Sequence, residues 1–308
     1  MITGVCLNPS FDKTVEVDAL ALGEVNRIRS VRVDMGGKGV NVAVVARRLG
    51  LDALCIGCMG EQGAQHFTRL MDAEGLPHRF LTVPGAVRTN LKVVSRDGKG
   101  VTELNEPGAP LSGKAMEDFF ALAKEEAARS EYVVLTGSLP PGCPDNTYGE
   151  LIRAMGGTRC ILDAGGPVLR LGAEAGPFLL KPNLEELCQL FQAEGPLTTL
   201  EAKEYAKELQ RMGARNVVVS LGEKGALLLE ESGRCLGCRS PRGQAVSTVG
   251  AGDSLVAGFL YGCQLHGTLE GGLKWGVAAG AATAFQEGIA TGSQVKAQFP
   301  AVGNPHPL

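Results

Sequence analysis

Residues 178–221 read FLLKPNLEELCQLFQAEGPLTTLEAKEYAKELQRMGARNVVVSL, and the alternation inside them decides the fold. The stretch opens on a short apolar run, Phe178–Lys181, and closes on another, Val217–Leu221. Between them Thr199–Met212 places Tyr205, Leu209 and Met212 on one face at helical period, with charges elsewhere. Continuous apolar runs of this length are characteristic of strands covered by helices on both faces. Further runs at Gly4–Leu7, Ala53–Cys58, Tyr132–Leu135, Cys160–Asp163 and Ala226–Leu229 read as strands. Leu111–Arg129 and Leu255–Leu265 read as helices. Strands alternating with helices predict an α/β fold, a doubly wound and mostly parallel sheet flanked by helices.

Two segments break that rhythm. Thr14–Asp18 with Val31–Asp34, and Val87–Ser95 with Val101–Leu104, read as strands with no helix between them. Asp97–Gly98 suits a hairpin turn. Together they predict a small antiparallel sheet built from two separated insertions, serving either as a lid over a pocket or as an edge ornament. The chain then reads as a single domain over 1–308, with this small sheet at about 12–35 and 87–107.

Composition narrows the function classes. Charged residues make up 20% and apolar residues 44%, an ordinary globular balance that excludes intrinsic disorder. The net charge of −3 offers no basic excess, so a nucleic-acid partner is not expected. The 43 glycines are about twice the usual share and follow no period, which points to tight turns and close backbone approaches. The opening MITGVCLNPSFDKTVEV lacks the basic start and apolar run of a secretory leader. No run of about 18 apolar residues exists, and the Gly-Ala stretch around Val277–Phe285 reads as a buried helix. A cytoplasmic protein with no membrane association is expected.

Nine cysteines include two CxxC pairs, Cys55/Cys58 and Cys235/Cys238, which raises a four-cysteine zinc site. Cys55 and Cys58 lie in a strand-like run where positions i and i+3 face opposite ways. Cys235 and Cys238 flank a more turn-like Leu236-Gly237 but lack a convincing partner pair. Reduced, structural thiols are the expected outcome.

Four stretches carry chemistry. Ser247-Thr248-Val249-Gly250-Ala251-Gly252-Asp253-Ser254 runs into the helix Leu255–Leu265. Small residues at a helix mouth let backbone N–H groups converge on an anion, helped by the helix dipole. Asp253 there is either an N-cap or a general base, and the glycines just before it favour the base. Met35-Gly36-Gly37-Lys38-Gly39-Val40-Asn41 is a second glycine-rich helix start. Lys181-Pro182-Asn183-Leu184-Glu185-Glu186 sets an amide and a carboxylate one helical turn apart. Such oxygen ligands suit hydrated Mg²⁺, although the same residues are also simply a good helix start. Val219-Ser220-Leu221-Gly222-Glu223-Lys224-Gly225-Ala226 joins two apolar strands, as a nucleotide-embracing loop or an ordinary hairpin. No Walker A, GxGxxG, HExxH or GxSxG sequence occurs, which disfavours P-loop proteins, nicotinamide dehydrogenases, zincins and α/β-hydrolases.

Taken in order, GGKGVNVA with Gly50 and Gly60, KPNLEE, SLGEKG and STVGAGDSLVAGFL strongly resemble the phosphofructokinase-B, or ribokinase-like, sugar kinases over essentially the whole chain. The resemblance implies a ribokinase-like fold with a β-sheet lid that often makes a homodimer contact. It also implies ATP, Mg²⁺ and a sugar acceptor. Carried over by position, Asp253 is the base and Gly250, Ala251 and Gly252 form the anion hole. Asp12, Gly37, Lys38 and Asn41 hold the sugar, while Arg88 and Ser138 lie near its phosphate, joined by Arg27 or Arg29. Lys181 and Asn183 serve the ATP phosphates, Glu186 meets Mg²⁺ through water, and Ser220, Gly222 and Gly225 line the nucleotide site.

Leu7-Asn8-Pro9-Ser10-Phe11-Asp12, Arg88-Thr89-Asn90 and Thr136-Gly137-Ser138-Leu139-Pro140 are similar to the branch acting on phosphorylated ketohexoses. Thr102-Glu103-Leu104-Asn105-Glu106-Pro107-Gly108 is more similar to 1-phosphofructokinases than to tagatose-6-phosphate kinases. The implied reaction is ATP-dependent conversion of D-fructose 1-phosphate to fructose 1,6-bisphosphate. The alternatives are a tagatose-6-phosphate kinase and, in another class, a non-catalytic sugar-phosphate sensor on the same scaffold.

Overall fold

Each apolar run expected to be a strand contains one in the computed structural model, which describes residues 1–98 and 100–308. In chain order the first elements are β1 (Ile2–Cys6), β2 (Ser10–Val17), β3 (Ile28–Gly36), α1 (Lys38–Leu49), β4 (Ala53–Gln62), α2 (Ala64–Ala73) and β5 (His78–Ala86). Then come β6 (Arg88–Ser95), β7 (Gly100–Asn105), α3 (Gly113–Ala127), β8 (Tyr132–Thr136), α4 (Thr147–Ala154), β9 (Arg159–Asp163) and α5 (Gly166–Ala173). The chain continues through β10 (Leu179–Leu180), α6 (Leu184–Phe191), α7 (Thr199–Met212), β11 (Asn216–Ser220), β12 (Ala226–Leu229) and β13 (Cys235–Cys238). It ends with α8 (Ala251–His266), α9 (Leu269–Ala284), α10 (Gly292–Gln298) and β14 (His306–Pro307).

The large sheet runs β14-β13-β12-β11-β10-β9-β8-β1-β4-β5, parallel from β11 through β5 and antiparallel beyond β11. Side chains alternate between two apolar layers. Val133, Leu135, Val217 and Val219 pack with α3, α4, α5 and α7, while Tyr132, Val134 and Val218 pack with α1, α8 and α9. This is the doubly wound architecture expected from the sequence. The helix α7 has the expected limits because Thr198 caps it: its hydroxyl accepts the Glu201 N–H and the Glu201 carboxylate accepts the Thr198 N–H.

The glycine excess has one clear use between α8 and α9. A Cβ on Gly258 would lie 2.5 Å from the Trp275 carbonyl oxygen, and one on Gly262 would lie 2.4 Å from that of Gly271. The two helices touch backbone to backbone, which larger residues would prevent.

The small sheet has the order β3-β2-β6-β7 and draws on the two expected insertions. It is not purely antiparallel: β2 and β6 run parallel, Asp12 opposite Asn90. The intervening β4, α2 and β5 carry the chain back so that β6 starts at the same end as β2. A second correction concerns Cys235–Cys238, expected to be turn-like. It is strand β13, and Gly237 accommodates the C-terminal Leu308 and His306 side chains. Cys55 and Cys58 fall in different apolar layers, as do Cys235 and Cys238. Among the described residues no group of three or more metal-ligating side chains forms, and no helix is long and apolar enough to cross a membrane.

From β1 the chain steps outward to β4 and β5, then returns to β8 and moves the other way through β9, β10 and β11. That reversal beside β1 opens a crevice at the carboxyl ends of the strands, where ligands bind in open α/β sheets.

Candidate active site

A cavity of about 1340 Å³ fills this crevice, with the small sheet as one wall. That volume is ample for a nucleotide and a second small molecule together. The small sheet is therefore a lid over a pocket rather than an edge ornament. Its strand alternation gives Ser10, Asp12, Arg88, Asn90, Lys92, Glu103 and Asn105 to the cavity. The opposite face holds Val15, Val31, Val33, Leu91, Val93 and Leu104.

Asp253 is not the N-cap of α8. Gly250 is, with φ +76°, and Asp253 sits three residues into the helix. The residue is 4% exposed, and Oδ2 accepts a hydrogen bond of 2.8 Å from Asn41 Nδ2. Burial, then the charge of Asp163, pushes Asp253 up to about 6. Of the expected hole donors, the Ala251 N–H is engaged by the Thr248 carbonyl at 3.2 Å. The N–H groups of Gly250, Gly252 and Asp253 make no hydrogen bond to a described residue at the helix start.

Asp163, at the carboxyl end of β9, was not singled out from the sequence. It is 1% exposed, and its Oδ1 lies 3.1 Å from Lys181 Nζ while Oδ2 lies 3.6 Å from Lys38 Nζ. Thr136 Oγ1 donates to Oδ2 at 3.1 Å. Burial alone would raise its carboxyl, but Lys181 and Lys38 together hold it below the ordinary aspartate value. The same pairing, with Asp163 foremost, raises Lys38. One buried carboxylate thus fixes two lysines that come from α1 and from the end of β10. The only sequence signal was an Asp closing an apolar strand run at the sheet edge where ligands bind.

Asn183 and Glu186 form a reciprocal helix cap: Asn183 Oδ1 accepts the Glu186 N–H at 2.8 Å, and Glu186 Oε2 accepts the Asn183 N–H at 2.9 Å. Asn183 lines the cavity, whereas Glu186 stands behind it. Burial, then the Asp163 charge, raises Glu186 above the ordinary glutamate value. Ser220, Gly222 and Gly225 line the other end of the cavity, near an apolar wall of Val277, Ala281, Ala284 and Phe285.

At the lid end, Arg88 Nε donates to the Asn8 carbonyl and Nη1 to that of Glu106, both at 3.2 Å. Asn8 Nδ2 in turn reaches the Pro107 carbonyl at 3.1 Å and Ser138 Oγ at 3.3 Å. The LNPSFD start and the TELNEPG loop therefore meet at one guanidinium, and Ser138 joins them through the Asn8 side chain. Unlike Lys38, Lys92 and Lys181, Arg88 has no carboxylate partner among the described residues. Gly37 caps α1 at φ +115°, and Lys38 and Asn41 project from its first turn. Arg27 and Arg29 do not reach the cavity, and Arg29 instead pairs with Asp18 on the exposed edge.

Residues 6–296 match the family model described as pfkB family carbohydrate kinase. The chain is 36% identical to a Bacillus subtilis protein named 1-phosphofructokinase and 34% identical to one from Vibrio cholerae, in each case over 98% of both chains. Phosphofructokinase-2 from Escherichia coli, solved with fructose-6-phosphate, superposes with a TM-score of 0.86 at 30% identity, covering 97% of this chain and 98% of that one.

Proposed function

The chain belongs to the pfkB family of carbohydrate kinases, and from that premise we propose that it transfers the terminal phosphoryl group of ATP to D-fructose 1-phosphate, yielding fructose 1,6-bisphosphate. The observation that carries this reading is one cavity lined both by a buried carboxylate, Asp253, and by a guanidinium, Arg88, that forms no ion pair with a described residue. A neutral sugar would not need that guanidinium. A sugar that already bears phosphate does, since guanidinium binds phosphate through parallel charge-assisted hydrogen bonds.

In this reading Asn41 occupies Oδ2 of Asp253 and leaves Oδ1 to take the proton of the attacking hydroxyl. The open N–H groups of Gly250, Gly252 and Asp253 face the charge that develops on the transferred group. Lys181 and Lys38, aligned by Asp163, draw the two anionic reactants together. Asp12, Gly37 and Lys38 hold the sugar, with Ser138 beside its phosphate, while Asn183, Ser220, Gly222 and Gly225 line the nucleotide end.

The raised Glu186, crowded by Asp163, is suited to a divalent cation that relieves this charge. Hydrated Mg²⁺ would be met by Glu186 through water and would neutralise the ATP phosphates. Phosphorylated substrates and nine free thiols support a cytoplasmic setting.

Arg88→Ala is expected to raise KM for the sugar phosphate by about 10- to 150-fold, the worth of a charge-assisted contact, with KM for ATP nearly unchanged. Steady-state kinetics with each substrate varied in turn checks this. Equal losses on both substrates, or on neither, remove Arg88 from the phosphate site.

The outer face of the lid supports a homodimer formed through it. Val31, Val33 and Leu104 are 54%, 46% and 58% exposed on that apolar sheet face. Sedimentation equilibrium at micromolar concentration is expected to read a dimer that Leu104→Lys weakens, and a monomeric wild type would contradict it.

A further inference from the structure

Lys92 lies on the cavity side of β6, on the same strand face as Arg88 and Asn90. Its neighbour is Asp12, whose Oδ1 is already used by Ser10 Oγ at 2.9 Å and Asn90 Nδ2 at 3.1 Å. Oδ2 of Asp12 faces the Lys92 ammonium at 3.7 Å, an ion pair too long to be a hydrogen bond. The Lys92 side chain is only 14% exposed and makes no hydrogen bond to a described residue. An ammonium carries three donors, and in the cavity these are left for water or a ligand to accept.

The direction of the side chain narrows the ligand. Lys92 stands opposite Thr14 in the strand register, yet its tip reaches back to the Asp12–Asn90 row, towards Arg88. The ammonium and the guanidinium therefore line the cavity from the same face of β6, with the Lys92 tip turned to the Arg88 side of its own register position. A phosphate dianion removed from water calls for more than one positive charge, and Arg88 supplies one.

Resting on the sugar-phosphate kinase reading, we propose that Lys92 is a specificity-determining residue that donates to the phosphate already carried by the acceptor sugar. As it does so, it leaves Asp12 Oδ2 free to accept from a sugar hydroxyl. Lys92 and Arg88 together then select phosphorylated over unphosphorylated acceptors.

The test is steady-state kinetics of full-length wild type, Lys92→Met, Lys92→Gln and Lys92→Arg with MgATP and fructose 1-phosphate. Lys92→Met and Lys92→Gln are expected to raise KM for the sugar phosphate about 10- to 100-fold, with KM for ATP within about twofold and kcat within about fivefold. Lys92→Arg is expected to recover most of the loss. If Lys92 merely neutralised Asp12, the double variant Asp12→Asn with Lys92→Met would bind the sugar better than Lys92→Met alone, whereas the proposal has it bind worse. A KM unchanged in both uncharged variants, or recovery in the double variant, overturns the proposal. The Gln variant keeps the test valid if Met disturbs the lid. Absence of turnover by wild type with every phosphorylated ketohexose would instead overturn the underlying kinase reading, and this inference with it.

Discussion

Asp253→Asn is expected to leave ATP and sugar-phosphate binding within a few-fold of wild type while lowering kcat by roughly 10²–10⁴-fold, the usual worth of a positioned general base. Asn at this position keeps the shape and the acceptor for Asn41 Nδ2 but cannot take a proton. The pH dependence follows from the carboxyl's value of about 6, raised by burial and then by Asp163. Wild-type kcat/KM should fall about tenfold per pH unit below that value, as the base becomes protonated. The stability consequence has the opposite sense. A carboxyl raised above its unfolded value favours the folded state below the unfolded pKa, and this contribution is lost as pH rises through about 6. At pH 7.5 the Asn variant should therefore be more stable than wild type, by on the order of 1–3 kcal/mol. Denaturant unfolding read beside single-turnover kinetics checks both halves. Near-normal chemistry in a well-folded Asn variant would remove Asp253 as the base.

Asp163→Asn is the second large effect. It strips the counter-charge from Lys181, which is almost fully buried, and from Lys38. Leaving one member of a buried ion pair unpaired typically costs about 3–5 kcal/mol. Since the Asp163 carboxyl is held low by the lysines against its burial, its contribution is present above the ordinary aspartate pKa and fades as pH falls below it. The loss should accordingly be largest at neutral pH and shrink on acidification. Replacing the pair together, Asp163→Leu with Lys181→Met, should cost less stability than Asp163→Asn alone, while activity falls in both. Urea unfolding at pH 7.5 and at about pH 3, below the ordinary aspartate value, measures the stability difference. Equal stability of wild type and Asp163→Asn at neutral pH would show that the lysines do not depend on this carboxylate.

The sheet and its helices were legible because their signals are local. Apolar runs such as Val217–Leu221 and the capped period of Thr199–Met212 need no tertiary information. The helix mouth at Gly250–Asp253 was equally plain, since small residues beside an acid leave few alternatives. What escaped is what only the fold brings together. Asp163 acquires its place because β9 lies between β8 and β10, so that lysines 125 and 18 positions away in the chain meet at one carboxylate. Lys92 was not singled out within the strand Val87–Ser95, because only the position of the small sheet turns that face towards the cavity. The parallel pairing of β2 with β6 was not readable because two-residue alternation carries no strand direction. Cys235–Cys238 misled because its glycine suggested a turn, whereas Gly237 makes room for the chain terminus.

The central claim, that the acceptor is a phosphorylated ketohexose, is tested most directly by ADP release from MgATP across a panel of acceptors. The panel compares fructose 1-phosphate, fructose 6-phosphate, tagatose 6-phosphate and free fructose. Fructose 1-phosphate is expected to give the highest kcat/KM, with tagatose 6-phosphate lower by roughly 5- to 150-fold, the range set by one misdirected hydrogen bond to a buried polar group. A higher kcat/KM with tagatose 6-phosphate would replace the fructose assignment while keeping the chemistry. No ADP release above background with any of the three phosphorylated sugars would contradict the account.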